Sequence, residues 1–332
     1  MRELLDRALA FGFRALLFGV GSLPQGLARE LCASLAALYA RLGGPRVADA
    51  RINLQIAFPE RSPESRERIL LESFANLGRS FAEVCQMHVQ DNAIDGRGSS
   101  RLFDRVSIVG RENLARAERL SGQRGALVLT AHFGSWEFCA AALSRQALPV
   151  SVVQHGFENP HVEQIVTAWR QRAGLETLTM GGAALGVFRA LARGRYVALL
   201  MDQNASLEDG VFAPFFSRLA STRSGPVLLA MTRETPVVPV FFFRVGKSGE
   251  HVARIGAPLI LEGAQQDPEK ALVRNVERIN AAIEAAIREA PEQWIWSHRR
   301  FKTQPPGADS IYPSRGSPLR RLRHLLRLRR VR

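Results

Sequence analysis

The chain has 332 residues, 46% of them hydrophobic and 23% charged, so it carries enough apolar side chain to bury a large core. A formal net charge of +14 calls for an acidic partner, and three classes fit: nucleic acid, anionic lipid or an acidic carrier protein. Cys32, Cys85 and Cys139 are odd in number and lack metal-ligand spacing, which argues against a disulfide framework or a zinc site and for free buried thiols in a reducing compartment.

The N-terminal stretch 8–20 is apolar but interrupted by Arg14, and it falls short of the run of about 18 uncharged residues that argues for a spanning helix. It lacks a clear unbroken signal-peptide core and cleavage site. Arg2, Arg7 and Arg14 recur about every seven residues. That spacing suits one cationic edge of a helix lying in a membrane interface, and an amphipathic core helix fits it as well. Residues 25–41 predict a helix, and 62–87 predict one or two more after the turn signals at Pro59 and Pro63. Residues 91–100, rich in Gly, Asp and Ser, predict a loop closing a helical arm.

From there strands and helices alternate. Strands are predicted at 126–130, 149–153, 176–179 and 195–201, with helices at 135–146, 160–173 and 183–193 between them. Further strands fall at 236–245 and 251–255, followed by a long amphipathic helix over 269–290. This pattern predicts an α/β fold with a mostly parallel central sheet covered by helices on both faces. No internal repeat is present. The division expected is 1–45 for an N-terminal anchor and first helices, 46–100 for a helical arm, 101–303 for the catalytic domain and 304–332 for a basic tail. Residues 315–332 hold eight arginines and no acids. They can form a cationic amphipathic helix on anionic headgroups or a disordered tail.

His132 and Glu137 follow the first of these strands directly. A neutral imidazole can take a proton from a hydroxyl near pH 7, and a carboxylate beside it can fix its tautomer and stabilise the imidazolium. Five residues along an unbroken helix advance about 140° beyond one turn, so the two would not face each other. Gly134 lets the chain turn and Ser135 can cap the next helix, which leaves His132 in the loop and Glu137 in the first helical turn. A satisfied strand-end histidine with a dipole-favoured glutamate is the plainer alternative.

The His-x4-Glu spacing resembles the His-x4-Asp/Glu signature of glycerolipid acyltransferases, and more closely that of the bacterial lipid A late acyltransferases. Arg51-Ile52-Asn53-Leu54-Gln55-Ile56-Ala57-Phe58-Pro59-Glu60 looks like that family's R-x-N-L-x-x-A-F-P-E segment. Arg79-Ser80-Phe81-Ala82-Glu83, Met201-Asp202-Gln203-Asn204, Thr222-Arg223-Ser224-Gly225-Pro226 and the segment from Trp294 to Lys302 follow in family order. The resemblance implies a glycerolipid acyltransferase-like α/β sheet with an N-terminal helical membrane-associating arm. It implies transfer of a fatty acyl chain from acyl carrier protein to a hydroxyl of a lipid A precursor, at the cytoplasmic face of a bacterial inner membrane. His132 would be the general base with Glu137 supporting it. No cofactor is called for, the acyl-carrier thioester being a co-substrate, and no specific nucleic acid partner is implied.

Anion contacts are expected from arginines. Arg170 falls near an arginine the family uses, with a solvent-facing helix residue as the alternative. Arg223 stands at a loop-to-helix start where phosphate finds free N–H groups. Asp202 ends a strand, where α/β proteins place ligands, or it caps the next turn. Arg299 and Arg300 could meet lipid phosphates, beside Trp294 and Trp296 as packing or interfacial residues. The chain has no Gly-x-Ser-x-Gly elbow, and Gly246-Lys247-Ser248 lacks the earlier glycine of a P-loop because Phe241 stands there. Another glycolipid or lyso-lipid acceptor, a hydrolase using the same base, and a non-catalytic protein binding anionic membrane or nucleic acid through its tail are the competing readings.

Overall fold

The computed structural model describes residues 2–93, 100–154, 156–179, 183–263 and 267–314. The basic tail from residue 315, and His155, lie outside the described residues. Four helices open the chain: α1 (Arg2–Gly21), α2 (Gln25–Leu42), α3 (Pro45–Ala57) and α4 (Pro63–Ala93). Pro45 and Pro63 begin α3 and α4, where a missing N–H costs nothing and a fixed φ suits the helix. α4 runs unbroken through the expected start of a loop at residue 91 and ends at Ala93. α2 and α4 pack closely, and α1 lies along α4 and the later helix at 160–172.

The sheet region holds α5 (Ser100–Phe103), β1 (Val106–Val109), α6 (Glu112–Leu120), β2 (Leu127–Thr130), α7 (Trp136–Arg145), β3 (Val150–Gln154), α8 (Pro160–Arg172), β4 (Glu176–Thr179), α9 (Ala183–Ala192) and β5 (Tyr196–Leu200). The hairpin β6 (Gly210–Phe215) and β7 (Arg218–Arg223) comes next. It is followed by α10 (Gly225–Arg233), β8 (Val237–Val245), β9 (Glu250–Ile255), α11 (Pro268–Glu289) and a 3-10 turn over Pro291–Gln293. Seven strands form one sheet in the order β1-β9-β8-β2-β5-β3-β4. All its pairings are parallel except β8 with β9, whose tight turn contains the Gly246-Lys247-Ser248 segment. The expected mostly parallel sheet is present.

Alternation along β2 builds the core on both faces. Leu127 and Leu129 enter a cluster with α9, α10 and α11, while Val128 enters one with α6 and α7. A strand covered on both faces has no polar side to show, which is why its sequence reads as a continuous apolar run.

α1 and α2 behave differently. α1 buries Ala10 and Leu17 but exposes Leu4, Leu5, Leu9, Phe11, Leu16 and Phe18. α2 exposes Leu27, Leu31, Leu35, Leu38 and Leu42, a stripe at helical spacing facing away from α4. Among the described residues no helix is long and apolar enough to cross a membrane.

Candidate active site

β2 and β5 are parallel neighbours in register, with Thr130 opposite Leu200. Two residues past those ends stand His132 and Asp202, so the register itself brings them together at the C-terminal edge of the sheet. The Asp202 carboxylate accepts a hydrogen bond at His132 Nδ1 (2.9 Å) and another from the His132 backbone N–H (3.1 Å). It also accepts one from the Trp294 indole at 2.8 Å, and its side chain is 2% exposed. Burial would push this carboxyl up, but the His132 charge and hydrogen bond and the Trp294 donor outweigh it and hold Asp202 at about 2. Burial likewise would lower the His132 imidazole, yet the Asp202 charge and hydrogen bond, with Glu137 beyond them, raise it above its ordinary value. Asp202, rather than Glu137, is therefore the carboxylate in contact with the His132 ring, and it favours the tautomer with the proton on Nδ1. Asp202 is thus engaged by His132 and Trp294.

Glu137 is engaged elsewhere. Its carboxylate pairs with the Arg170 guanidinium at both oxygens, one through Arg170 Nε at 3.2 Å, and Arg170 also donates to Gln154. No hydrogen bond joins Glu137 to His132 among the described residues. The expected solvent-facing alternative for Arg170 is overturned, since the residue is buried under α8. On the open side, the Gln203 amide nitrogen lies 3.2 Å from His132 Nε2, and the Trp136 ring stands edge-on to the imidazole at 5.2 Å.

The turn between β2 and α7 is tightly specified. Gly134 has φ +61°, and a Cβ there would meet the Phe242 carbonyl at 1.8 Å. Its N–H donates to the Gln293 carbonyl (2.8 Å), its carbonyl accepts from Ser80 (3.2 Å), and Phe133 bridges to Trp294. Ser135 occupies the N-cap position of α7, but its side chain makes no capping bond and its Oγ is buried without a partner. The first N–H groups of α7 are thus without a side-chain cap among the described residues.

A family profile described as bacterial lipid A biosynthesis acyltransferase matches residues 2–303. The chain belongs to that family. It is 29% identical to the lipid A biosynthesis palmitoleoyltransferase of Escherichia coli (strain K12) over 79% of this chain and 81% of the relative. It is 26% identical to the lauroyltransferase of the same organism over 88% and 91%, and 24% identical to its myristoyltransferase over 90% and 88%. The chain is an acyltransferase.

In this acyltransferase the ordered family-like segments converge on the scaffold around His132. Asn53 is fully buried and donates to the carbonyls of Trp296 and His298, both at 2.7 Å. Burial pushes the His298 imidazole down to about 4, against the pull of Asp202, and neutral Nε2 accepts the Asn204 N–H at 3.1 Å. Two of the expected anion-binding arginines are structural instead. Arg300 is fully buried, donating to the Ser221 carbonyl (2.7 Å) and Thr222 (2.6 Å) over the Phe215 ring. Arg299 pairs with Asp49 at 3.0 Å. Both stand in the segment that closes the chain back against α3 and β7, where a carboxylate holds Arg299 and neutral acceptors hold Arg300. Trp294 and Trp296 are buried, which settles them as packing residues and excludes interfacial anchoring. Arg223 ends β7, half-buried, with no side-chain hydrogen bond or ion pair among the described residues. Gln203, Trp136 and the Trp294 indole were not singled out as site residues. Their only signal in the sequence was their place inside the family-like segments.

Proposed function

We propose that this chain transfers a fatty acyl group from an acyl carrier protein thioester to a hydroxyl of a lipid A precursor, at the cytoplasmic face of a bacterial inner membrane. The observation that carries this reading is the His132–Asp202 pair at the ends of two adjacent parallel strands. His132 Nε2 takes the acceptor hydroxyl proton as the oxygen attacks the thioester carbonyl. The attack completes the carbon–oxygen bond and gives a tetrahedral oxyanion, whose collapse breaks the carbon–sulfur bond as the proton passes to the leaving thiolate. Open N–H groups at the start of α7 stabilise the oxyanion between these steps. Asp202 is a positioning residue. Glu137 acts on His132 through its charge and holds Arg170 at the mouth of the site.

The apolar stripes of α1 and α2 would lie in the interfacial layer of the membrane, with the net positive charge drawn to anionic headgroups. Arg223, without a side-chain hydrogen bond or ion pair among the described residues, is the arginine we propose to meet an acceptor phosphate. The chain calls for no cofactor in this scheme.

The test is detergent-solubilised protein given mixed acyl-carrier thioesters and a tetra-acylated precursor, with products read by mass. One added acyl group, absent with His132→Ala, is expected. Thioester intact with every acceptor offered would overturn the reading, and thioester consumed without acylated product would make the enzyme a hydrolase.

A further inference from the structure

Arg29 of α2 is 8% exposed, and among the described residues it has no hydrogen bond or ion pair; its Nε is buried without a partner. A guanidinium stays charged, so a buried one without a carboxylate is costly unless something outside the chain completes it. Its surroundings enlarge the imbalance. At the turn between β8 and β9, a Cβ on Gly249 would lie 2.5 Å from Arg29 Nη1 and 3.1 Å from Arg105 Nη1. The two guanidinium groups therefore face one small space, which glycine leaves open at a φ of +84°. Arg105 is half-buried and donates one bond to the Ser248 carbonyl at 3.3 Å. Burial lowers the Arg29 guanidinium below its ordinary value; the Glu83 charge opposes this, and the charges of Arg105 and Arg244 add to it.

The acids nearby are engaged elsewhere. Both Glu83 oxygens accept from Arg244, and one also meets His251. Glu30 pairs with Arg79 at 3.4 Å. Glu250 stands opposite Val245 in the register, so alternation puts it on the other face of the hairpin from Arg244 and His251. Arg29 and Arg105 are left as two cations with no carboxylate between them. We propose that Arg29, Arg105 and the β8–β9 turn bind a phosphate group, carried by an anionic lipid headgroup or free in solution, at the joint between the helical arm and the sheet. Two guanidinium groups offer several N–H donors to the oxygens of one tetrahedral anion, and the anion supplies the missing charge. β8 runs on to Val245, well beyond the level at which β2 ends, so the turn projects from the same sheet edge as His132. Leu27 and Leu31, two residues to either side of Arg29, are exposed on α2 and set an apolar face close to the anion. This site stands whether or not the chain transfers acyl groups.

The test is thermal unfolding of the detergent-solubilised full chain in phosphate and in chloride at matched ionic strength. Phosphate at about 50 mM should raise the wild-type midpoint by at least about 2 °C. Arg29→Met should lose most of that shift, and its midpoint in chloride should equal or exceed that of wild type, because an unpaired buried cation is gone. Arg105→Met changes a half-buried residue and should cut the shift by about half or more, so the site remains testable if Arg29→Met does not fold. Arg223→Met should keep the full shift, which separates this site from the acceptor contact proposed above. Short-chain phosphatidylglycerol in place of phosphate tells the two sources apart. An equal or larger shift that the same variants abolish assigns a lipid headgroup, and a shift with phosphate alone assigns the free ion. No shift of the wild type with either probe, or shifts undiminished in Arg29→Met and Arg105→Met, would overturn the site.

Discussion

The His132 imidazole is set by two opposed influences of different origin. Burial favours the neutral form and Asp202 favours the cation, and the cation gains. A base must be neutral to act, so activity should rise with pH through a His132 value above the ordinary one near 6.5. Asp202→Asn removes the main influence that raises the imidazole and leaves burial opposed only by the Glu137 charge. Turnover should fall about 100- to 10,000-fold, and the acid limb of the pH–rate profile should move to lower pH. Glu137→Gln should move that limb in the same direction but less, since it acts on His132 only through space. A purely structural role for Asp202 would lower the yield of folded protein and leave the limb where it was. His132 stood out in the sequence as a candidate base after an apolar strand. Its partner was not, because 70 residues separate Asp202 from it and only the pairing of Thr130 with Leu200 aligns them.

At the level of elements, the entry into α7 depends on Gly134. Gly134→Ala would need a left-handed residue and a Cβ inside the Phe242 carbonyl. The expected cost exceeds about 1 kcal/mol, measured by chemical denaturation, together with a loss of turnover; wild-type stability would refute the strain. The apolar stripes of α1 and α2 make a second prediction. Phe11→Glu with Leu35→Glu should abolish sedimentation with anionic vesicles while the fold persists, because both side chains are exposed. Undiminished sedimentation would remove the helices from the membrane contact. Helices and central strands were readable from period and turn residues. β1, β6 and β7 were not. β1 is a four-residue edge strand, too short to carry a long run, and the apolar run of β6 contains Pro214, which argues against a strand.

Across the whole molecule, a buried network ties the helical arm to the sheet. Glu83 of α4 accepts from Arg244 of β8 and from His251 of β9, and Arg244 also donates to Ser80 beneath the Gly134 turn. Burial would raise the Glu83 carboxyl, but the His251 hydrogen bond and the Arg244 charge bring it down to about 2 from 4.5. A depressed carboxyl stabilises the fold fully above about pH 4.5, and that share is lost as the pH falls through 4.5 toward 2. Wild type should therefore weaken across that window. Glu83→Gln should cost about 3–5 kcal/mol near neutrality by leaving Arg244 unpaired in the core, and should show a flatter acid profile. A loss below about 1 kcal/mol would mean that water reaches the pair.

The sequence by itself determined the family and the parallel sheet and singled out His132 as the base proposed above, because apolar runs, turn residues and ordered motifs are local patterns. Which carboxylate holds the base, and which arginines keep a free charge, was decided only by the tertiary structure. Asp202 reaches His132 through strand register, Glu137 is drawn to Arg170 on a separate helix, and Arg300 is consumed by β7. Each outcome depends on partners distant in the chain, and the spacing of residues carries no record of them.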